Sequence, residues 1–343
     1  MNPAPLHDGP PPSPVPDFKD RRTGLLVFGI LDILLGVLCV LLVGLMVLGQ
    51  AMVSRTAATA LSTRMLLPGM LFYLALAAAF VWLGIGSIRC RRWARALALI
   101  LAWSWLCVGV ISVPVTGFVL PRALADASAT GQTLPRGLLT VVLVFQLVLM
   151  TLLLVVLPAV LVCFYQSRHV KATCQACDPT PRWTDACPLP VLAVACWLWL
   201  GSVMILSLPL VCGGVLPLFG AIVSGWPGTL LDGVLAVLWF WLGRLWYQLK
   251  PAGWWLFVAA LVVLSLSNLM TFSHVDLMEL YRKMGYPEAQ LDLIRRQGWL
   301  SNRFLVWISV ASLVPMLGYL LWVKGFFLPG PHHGEHHVGG AAA

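Results

Sequence analysis

The sequence predicts an all-α polytopic integral membrane protein with about eight transmembrane helices, arranged as two parallel four-helix repeats. Three observations predict it. The 343 residues are 60% hydrophobic and 10% charged, with a mean hydropathy of +0.90, which is more apolar surface than a water-soluble domain of this size can hide. The apolar residues fall in runs of roughly 20 residues separated by short polar or basic segments, and that length crosses a hydrocarbon core of ~30 Å at ~1.5 Å per residue. Finally, one stretch is written twice. Trp82, Leu83 and Gly84, in WLGIGSIRCRRWAR, return as Trp241, Leu242 and Gly243, in WLGRLWYQLKPAGWW. The preceding Pro68 and Gly69 return as Pro227 and Gly228, and 227 less 68 and 241 less 82 both give 159. Trp93 answers to Trp254 after a two-residue slip, Pro158 with Tyr165 answers to Pro315 with Trp322, and Gly36 answers to Gly201. Internal symmetry of this sort is a signature of membrane transport folds.

Residues 1–22 form a Pro-rich tail that lacks both the basic start and the apolar run of a signal peptide, and they are expected to be disordered. The first repeat, 23–168, opens with a span over about 24–49 and a second over about 66–88. A basic turn with Arg89, Arg91, Arg92 and Arg95 leads into the third span, about 96–118, and the turn formers of 121–136 place that loop outside the membrane. The fourth span, about 138–165, contains Pro158, which should kink it and free a carbonyl one turn earlier. A Cys-containing linker, 169–187, precedes the second repeat, 188–327. Its fifth span runs over about 189–211, and the apolar segment 213–228 is so broken by Gly and Pro that it is expected to be re-entrant or interfacial. Spans six and seven, about 228–248 and 252–272, meet at a tight LKPAGW turn. Residues 273–302 leave the membrane pattern and predict a helical hairpin, with a cap at Ser273 and Asp276, stops at Gly285 and Gly298, and a restart at Pro287. Span eight covers about 304–325, ahead of a His-containing tail, 328–343, expected to be disordered.

Eight spans put both termini on one side. With that side cytoplasmic, thirteen of the 22 basic residues face inward and nine outward, and five of the nine lie in 273–303 alongside Asp276, Glu279, Glu288 and Asp292. The short loops therefore favour cytoplasmic termini. Arg outnumbers Lys seventeen to five, which together with the Ala, Gly and Leu richness suggests a GC-rich bacterial genome, and the expected location is a bacterial inner membrane. Four spans per repeat make the two halves parallel, related by an axis along the membrane normal. The net charge of +9 is explained by orientation, and nucleic acid is excluded as a partner because the basic residues sit in short loops between apolar runs.

Few residues carry chemistry. Asp32 is expected ~12 Å into span one, near the bilayer middle, where an ionised acid is costly unless it has a partner. Gln146, at similar depth in span four, is the candidate partner; the pair would either glue two helices or line a cavity. The second repeat places Trp197 where the first has Asp32, which argues against a symmetric two-site transporter. Asp232 and Asn268 lie close enough to the outer ends of their spans to be headgroup-level residues. His169, Cys174, Cys177 and Cys187 have the residue types of a Cys3His zinc site, but a single C-x-x-C in a short loop more simply supplies reduced cytosolic thiols. His332, His333, His336 and His337 offer at most weak metal capture in a polar tail. Arg89, Arg91, Arg92 and Arg95 form a candidate surface for anionic headgroups or a docking partner. Most of the 16 tryptophans fit interfacial belts, with Trp246 and Trp254 in the inner one, while Trp103, Trp105, Trp197, Trp199, Trp239 and Trp241 lie deeper. The segments show no HExxH, GxSxG or Walker A motif and no paired intramembrane carboxylates, so no catalytic residue and no cofactor is expected. The leading expectation is a non-catalytic scaffold or subunit that contacts the bilayer and a membrane-protein partner or second copy through its outer hairpin or inner loops. A transporter or channel with a cavity between the repeats, lined by Asp32 and Gln146, is the alternative, and a lipid-modifying enzyme at the interface is the third.

Overall fold

The computed structural model describes residues 19–56, 63–129, 136–297 and 302–328. Eight helical segments are long and apolar enough to cross a membrane, and the chain is an all-α polytopic membrane protein. In order, the helices of the first half are α1 (Arg22–Thr56), α2 (Thr63–Ile88), α3 (Arg92–Ala129) and α4 (Arg136–Thr151), which passes through a π-turn (Leu152–Val156) into α5 (Leu157–Gln166). The linker folds as α6 (Arg168–Cys177) and a short 3-10 turn at Trp183–Asp185. The second half contains α7 (Leu189–Cys212), strands β1 (Leu216–Leu218) and β2 (Ala221–Val223), α8 (Trp226–Tyr247), α9 (Pro251–His274), α10 (Leu277–Lys283), α11 (Glu288–Gln297) and α12 (Asn302–Phe327). These sequences must be helical because a backbone in hydrocarbon has to satisfy its polar groups internally.

In each half the first span packs most extensively on the second and the third on the fourth: α1 on α2, α3 on α5, α7 on α8, and α9 on α12. Small residues set the closest approach. A β-carbon at Gly84 would stand 2.5 Å from the Gly29 carbonyl oxygen, and one at Gly36 would stand 3.0 Å from that of Ala77, so α1 and α2 touch backbone to backbone.

The turns that join spans two to three and six to seven share one hydrogen-bond pattern. The N–H groups of Arg89, Cys90 and Arg91 donate to the carbonyls of Ile85, Ser87 and Gly86 at 3.1, 2.9 and 2.9 Å. Those of Gln248, Leu249 and Lys250 donate to Arg244, Trp246 and Leu245 at 3.1, 2.9 and 3.1 Å. Donors and acceptors are all displaced by 159 residues (248 less 89, 249 less 90, 250 less 91), the same offset that separates Trp82, Leu83 and Gly84 from Trp241, Leu242 and Gly243. The middle residue is left-handed in both, Cys90 at φ 51° and Leu249 at φ 55°, a conformation that costs an L-residue about 1 kcal/mol. Each side chain offsets that cost by reaching into an apolar cluster, Cys90 beside Leu25 and Cys174, and Leu249 beside Trp246 and Leu192.

Pro158 acts as the sequence anticipates, with a further consequence. It has no N–H for the Leu154 carbonyl, the π-turn widens the helix there, and a β-carbon at Gly109 would overlap that carbonyl, so α3 closes on the widened turn only because residue 109 is glycine. Helix α3 itself runs through Pro114 and Pro121 to Ala129, further than the loop expected from residue 121. Beyond Pro121 the chain is RALADASA, rich in helix formers.

The segment 213–228, expected to be re-entrant or interfacial, is extended rather than helical between α7 and α8. It forms a β-hairpin with Leu216 opposite Val223, turned at Phe219 (φ 47°) and Gly220 (φ 82°), the two left-handed residues of a tight antiparallel turn. The turn is tied to α9, where Ser267 Oγ accepts from the Phe219 N–H at 3.0 Å and Thr271 Oγ1 accepts from the Gly220 N–H at 3.1 Å. Against this hairpin, Val215 packs with Leu277 and Leu280 of α10, forming a small folded cap at the end of the bundle opposite the basic turns. The cap of α10 is Asp276, whose carboxylate accepts from the Met278 N–H, whereas Ser273 remains inside α9 and donates to the Leu269 carbonyl at 2.7 Å. Gly285, at φ 88°, ends the α10 segment, and Gly298 lies outside the described residues. Asp276→Ala should cost about 1 kcal/mol, confined to the cap, and hydrogen exchange of amides 277–283 measures it.

The halves meet along a narrow apolar seam of Ala96, Ile100, Cys187 and Leu192. It is stapled by the Trp197 indole N–H donating to Ser104 Oγ at 2.8 Å and the Tyr247 hydroxyl donating to the Trp183 carbonyl at 2.9 Å.

Candidate functional site

Two polar constellations stand out, both at the basic end of the first half. The first is buried. Asp32 of α1, 4% exposed, accepts from the Tyr165 hydroxyl of α5 at 3.5 Å, and Tyr165 shares a 2.8 Å hydrogen bond with Ser87 Oγ of α2. With Tyr165 donating to the carboxylate, Ser87 is the donor to Tyr165, so the chain has a single consistent direction. A cavity of about 10 Å3 adjoins it, lined by Asp32, Leu83, Ala98, Trp105 and Tyr165 among others, room for about one water molecule. Asp32 itself lies ten residues after the start of α1 at Arg22, ~15 Å along that helix.

Gln146 does not join it. It is exposed on α4, 15 residues before Leu161 along the same span (161 less 146), about 22 Å away at 1.5 Å per residue. Counting from opposite faces gave both residues similar depths and concealed the separation between them. Tyr165 and Ser87 are the partners that sequence reasoning missed, because each sits at the end of a span, where a polar residue needs no explanation.

Among the described residues the second half has no such chain. At the offset of 159, Ser87 answers to Trp246 (246 less 87), which is fully buried and donates its indole N–H to the Gly253 carbonyl at 2.9 Å. A β-carbon at Gly243 meets Leu198 and Trp199, much as one at Gly84 meets Gly29 and Ile33. Trp197, which the sequence sets opposite Asp32, is 47% exposed.

The second constellation lies at the surface, where Asp178 joins the linker to the basic turn. Its carboxylate, 3% exposed, accepts from Arg182 Nε and Nη2 at 3.1 and 2.9 Å, from Thr180 at 3.1 Å and from the Arg92 backbone N–H, with Arg91 3.6 Å away. Asp178 therefore caps the start of α3 from a distant segment. The Arg182 hydrogen bonds, foremost among several causes, lower its pKa from 3.8 to about 2. A carboxyl depressed in the fold contributes stability at pH values above the unfolded value and loses it as pH falls toward the folded one. The linker should consequently stay docked down to pH of about 4 and release between there and about 2, as the mobility of a spin label at Pro181 would record. Arg92 pairs with Asp185 at 3.4 Å, and Arg95 is half-buried with its Nε enclosed and unbonded among the described residues. Of the four arginines singled out by sequence, only Arg89 and Arg91 present themselves together with Arg182 around an open pocket.

The candidate metal ligands separate. Cys174 is buried beside Cys90 in one cluster, burial raising its thiol pKa to about 12, while Cys187 lies in the inter-half seam, its thiol raised to about 11 by burial. His169 Nδ1 accepts from the Lys19 N–H at 3.4 Å. Among the described residues no three His, Cys, Asp or Glu side chains could hold a metal ion; the histidines of the carboxyl tail lie outside them.

Asp232, expected at headgroup level, is buried inside the protein. It is 1% exposed, six residues into α8, and its Oδ1 has no hydrogen-bond partner among the described residues. Asn268 is exposed, and its neighbours Ser267 and Thr271, four apart on one face of α9, hold the hairpin instead. Trp246 and Trp254 are buried between helices rather than in an interfacial belt, whereas Trp103, Trp197 and Trp241 are about half exposed.

The architecture defines a multi-pass α-helical membrane protein, with a buried polar chain and a cationic surface pocket among the described residues. No protein-family model, no curated protein and no solved structure matches the chain.

Proposed function

We propose that the protein is a non-catalytic multi-pass component of a bacterial inner membrane, a scaffold or subunit that binds a membrane-protein partner or a second copy through the cap formed by β1–β2, α10 and α11. On this reading the basic turns and both termini are cytoplasmic and the cap is outside, as the distribution of basic residues in short loops favours. The chain is an internal duplication, supported by the recurrence of the same turn, with the same left-handed residue, at the offset of the sequence repeat. The observation that carries the assembly role is that the cap is a folded structure, anchored by Ser267, Thr271 and an Asn302 side-chain N–H on the Val275 carbonyl, elaborated on the second half. Spanning the bilayer does not require it.

The transport alternative has less behind it. The Asp32 cavity holds about one water, lies inside the first half rather than between halves, and does not include Gln146. Photo-crosslinking residues introduced in living cells at exposed Glu279 and Asp292 test the assembly role, with lipid-facing Val237 as control. A discrete adduct from both cap positions and none from Val237 is the expected result. Adducts to lipid alone at all three positions would remove the cap as a docking surface.

A further inference from the structure

The pocket beside the arginine turn has the chemistry of a headgroup site. Its volume is about 300 Å3, at the low end of ligand-binding clefts, and it is walled by Trp82, Ile85, Arg89, Arg91, Trp93 and Arg182. Three guanidiniums converge there. Asp178 engages two of them, Arg91 at 3.6 Å and Arg182 at 2.9 Å, so one carboxylate is set against three cations. Arg89 makes no ion pair among the described residues and is exposed. The site thus retains positive charge and an unpaired guanidinium able to grip a phosphate in bidentate fashion.

The opposite wall is apolar. Trp82, 54% exposed, stacks on Trp93 with ring centroids 4.4 Å apart, and Ile85, 41% exposed, lies one turn further along α2. Both Trp82 and Ile85 belong to the segment Gly69–Ile88, which is long and apolar enough to cross a membrane, whereas Arg89 and Arg91 lie just beyond it. The pocket therefore straddles the boundary between hydrocarbon and water, arginines on the wet side and indole on the dry side. A soluble anion would use only the rim. An amphiphile uses both walls.

We propose that this pocket binds the phosphate headgroup of an anionic glycerophospholipid. Arg89 closes on the phosphate, Arg91 and Arg182 present the fixed positive field that Asp178 orients, and the Trp82–Ile85 wall carries the first segment of an acyl chain. A zwitterionic choline headgroup is disfavoured because its ammonium would be brought among three guanidiniums.

Native mass spectrometry of the full chain, released from micelles containing phosphatidylglycerol or phosphatidylcholine, tests this. Wild type should retain one phosphatidylglycerol and no phosphatidylcholine. Arg89→Gln, at an exposed residue with no ion pair to lose, should weaken retention about fivefold, the effect of one basic contact near a membrane surface. Trp82→Ala should weaken it as well, and Arg295→Gln on the distant cap should not. Equal retention of the two lipids, or undiminished phosphatidylglycerol binding by Arg89→Gln, would overturn the proposal. So would displacement of phosphatidylglycerol by inorganic phosphate alone with Trp82→Ala unaffected, which would assign the pocket to a soluble phosphate.

Discussion

Replacing Gly84 with leucine is expected to part α1 from α2 and to cost the fold about 3 kcal/mol, the upper range for forcing a side chain into a packed contact. The neighbour at this point is the Gly29 carbonyl, 2.5 Å from where a β-carbon would stand, and backbone cannot swing aside as a side chain can. The next helical turn of α1 carries Ile33 against the same glycine, so no alternative rotamer of the new leucine escapes into space. Because Asp32 lies between Gly29 and Ile33 and Ser87 lies three residues after Gly84, parting the helices should also break the Ser87, Tyr165 and Asp32 chain. Gly44→Leu on the same α1 is the control: nothing lies within 4 Å of its β-carbon position, and its cost should be within about 0.5 kcal/mol. Equilibrium unfolding in mixed micelles, comparing the two variants, checks both expectations.

The second large effect concerns Asp178. Asp178→Ala removes the carboxylate that holds Arg182 at 2.9 Å and Arg91 at 3.6 Å and leaves the Arg92 N–H at the start of α3 without its cap. Breaking charged hydrogen bonds of this kind costs about 2 kcal/mol, kept below the fully buried case because both arginines remain partly in water. The loss should appear as protease cleavage within residues 178–187 and as the disappearance of the acid-induced release between pH of about 4 and 2. Asp178→Asn, which keeps the shape and the Thr180 contact but not the charge, should show the same loss of pH response with smaller destabilisation.

Much of this fold was legible because lipid leaves the backbone so few choices. Length and apolarity specify the spans, and Pro158 announces its own disturbance of span four. The β-hairpin was not legible, since Leu216 to Val223 is as apolar as a span, and only the pairing of two left-handed residues at Phe219 and Gly220 distinguishes a turn from a broken helix. Phe219 gives no hint of that conformation. The buried site was half legible. Asp32 is conspicuous in an apolar run, but its true partner Tyr165 looks like an interfacial aromatic, and Gln146, which resembles a partner, faces outward. Ser267 and Thr271 could have been found from their spacing of four along one face of α9, had the hairpin been recognised as something that needs anchoring. Asp178 was hidden by its place in a polar linker, where an acid has no evident work to do until Arg91, Arg92 and Arg182 are brought around it.

The role proposed for the protein is assembly, with the buried polar chain tying helices together rather than conducting a solute. Its most direct test is water access at Asp32, read by labelling Asp32→Cys in native membranes with a small impermeant thiol reagent, the nine native cysteines having been replaced. Protection from both sides, in protein that is inserted and folded, is the outcome this account predicts from a site that is 4% exposed beside a cavity of about 10 Å3. Labelling from either side would reveal an aqueous path to the residue and would replace assembly with transport.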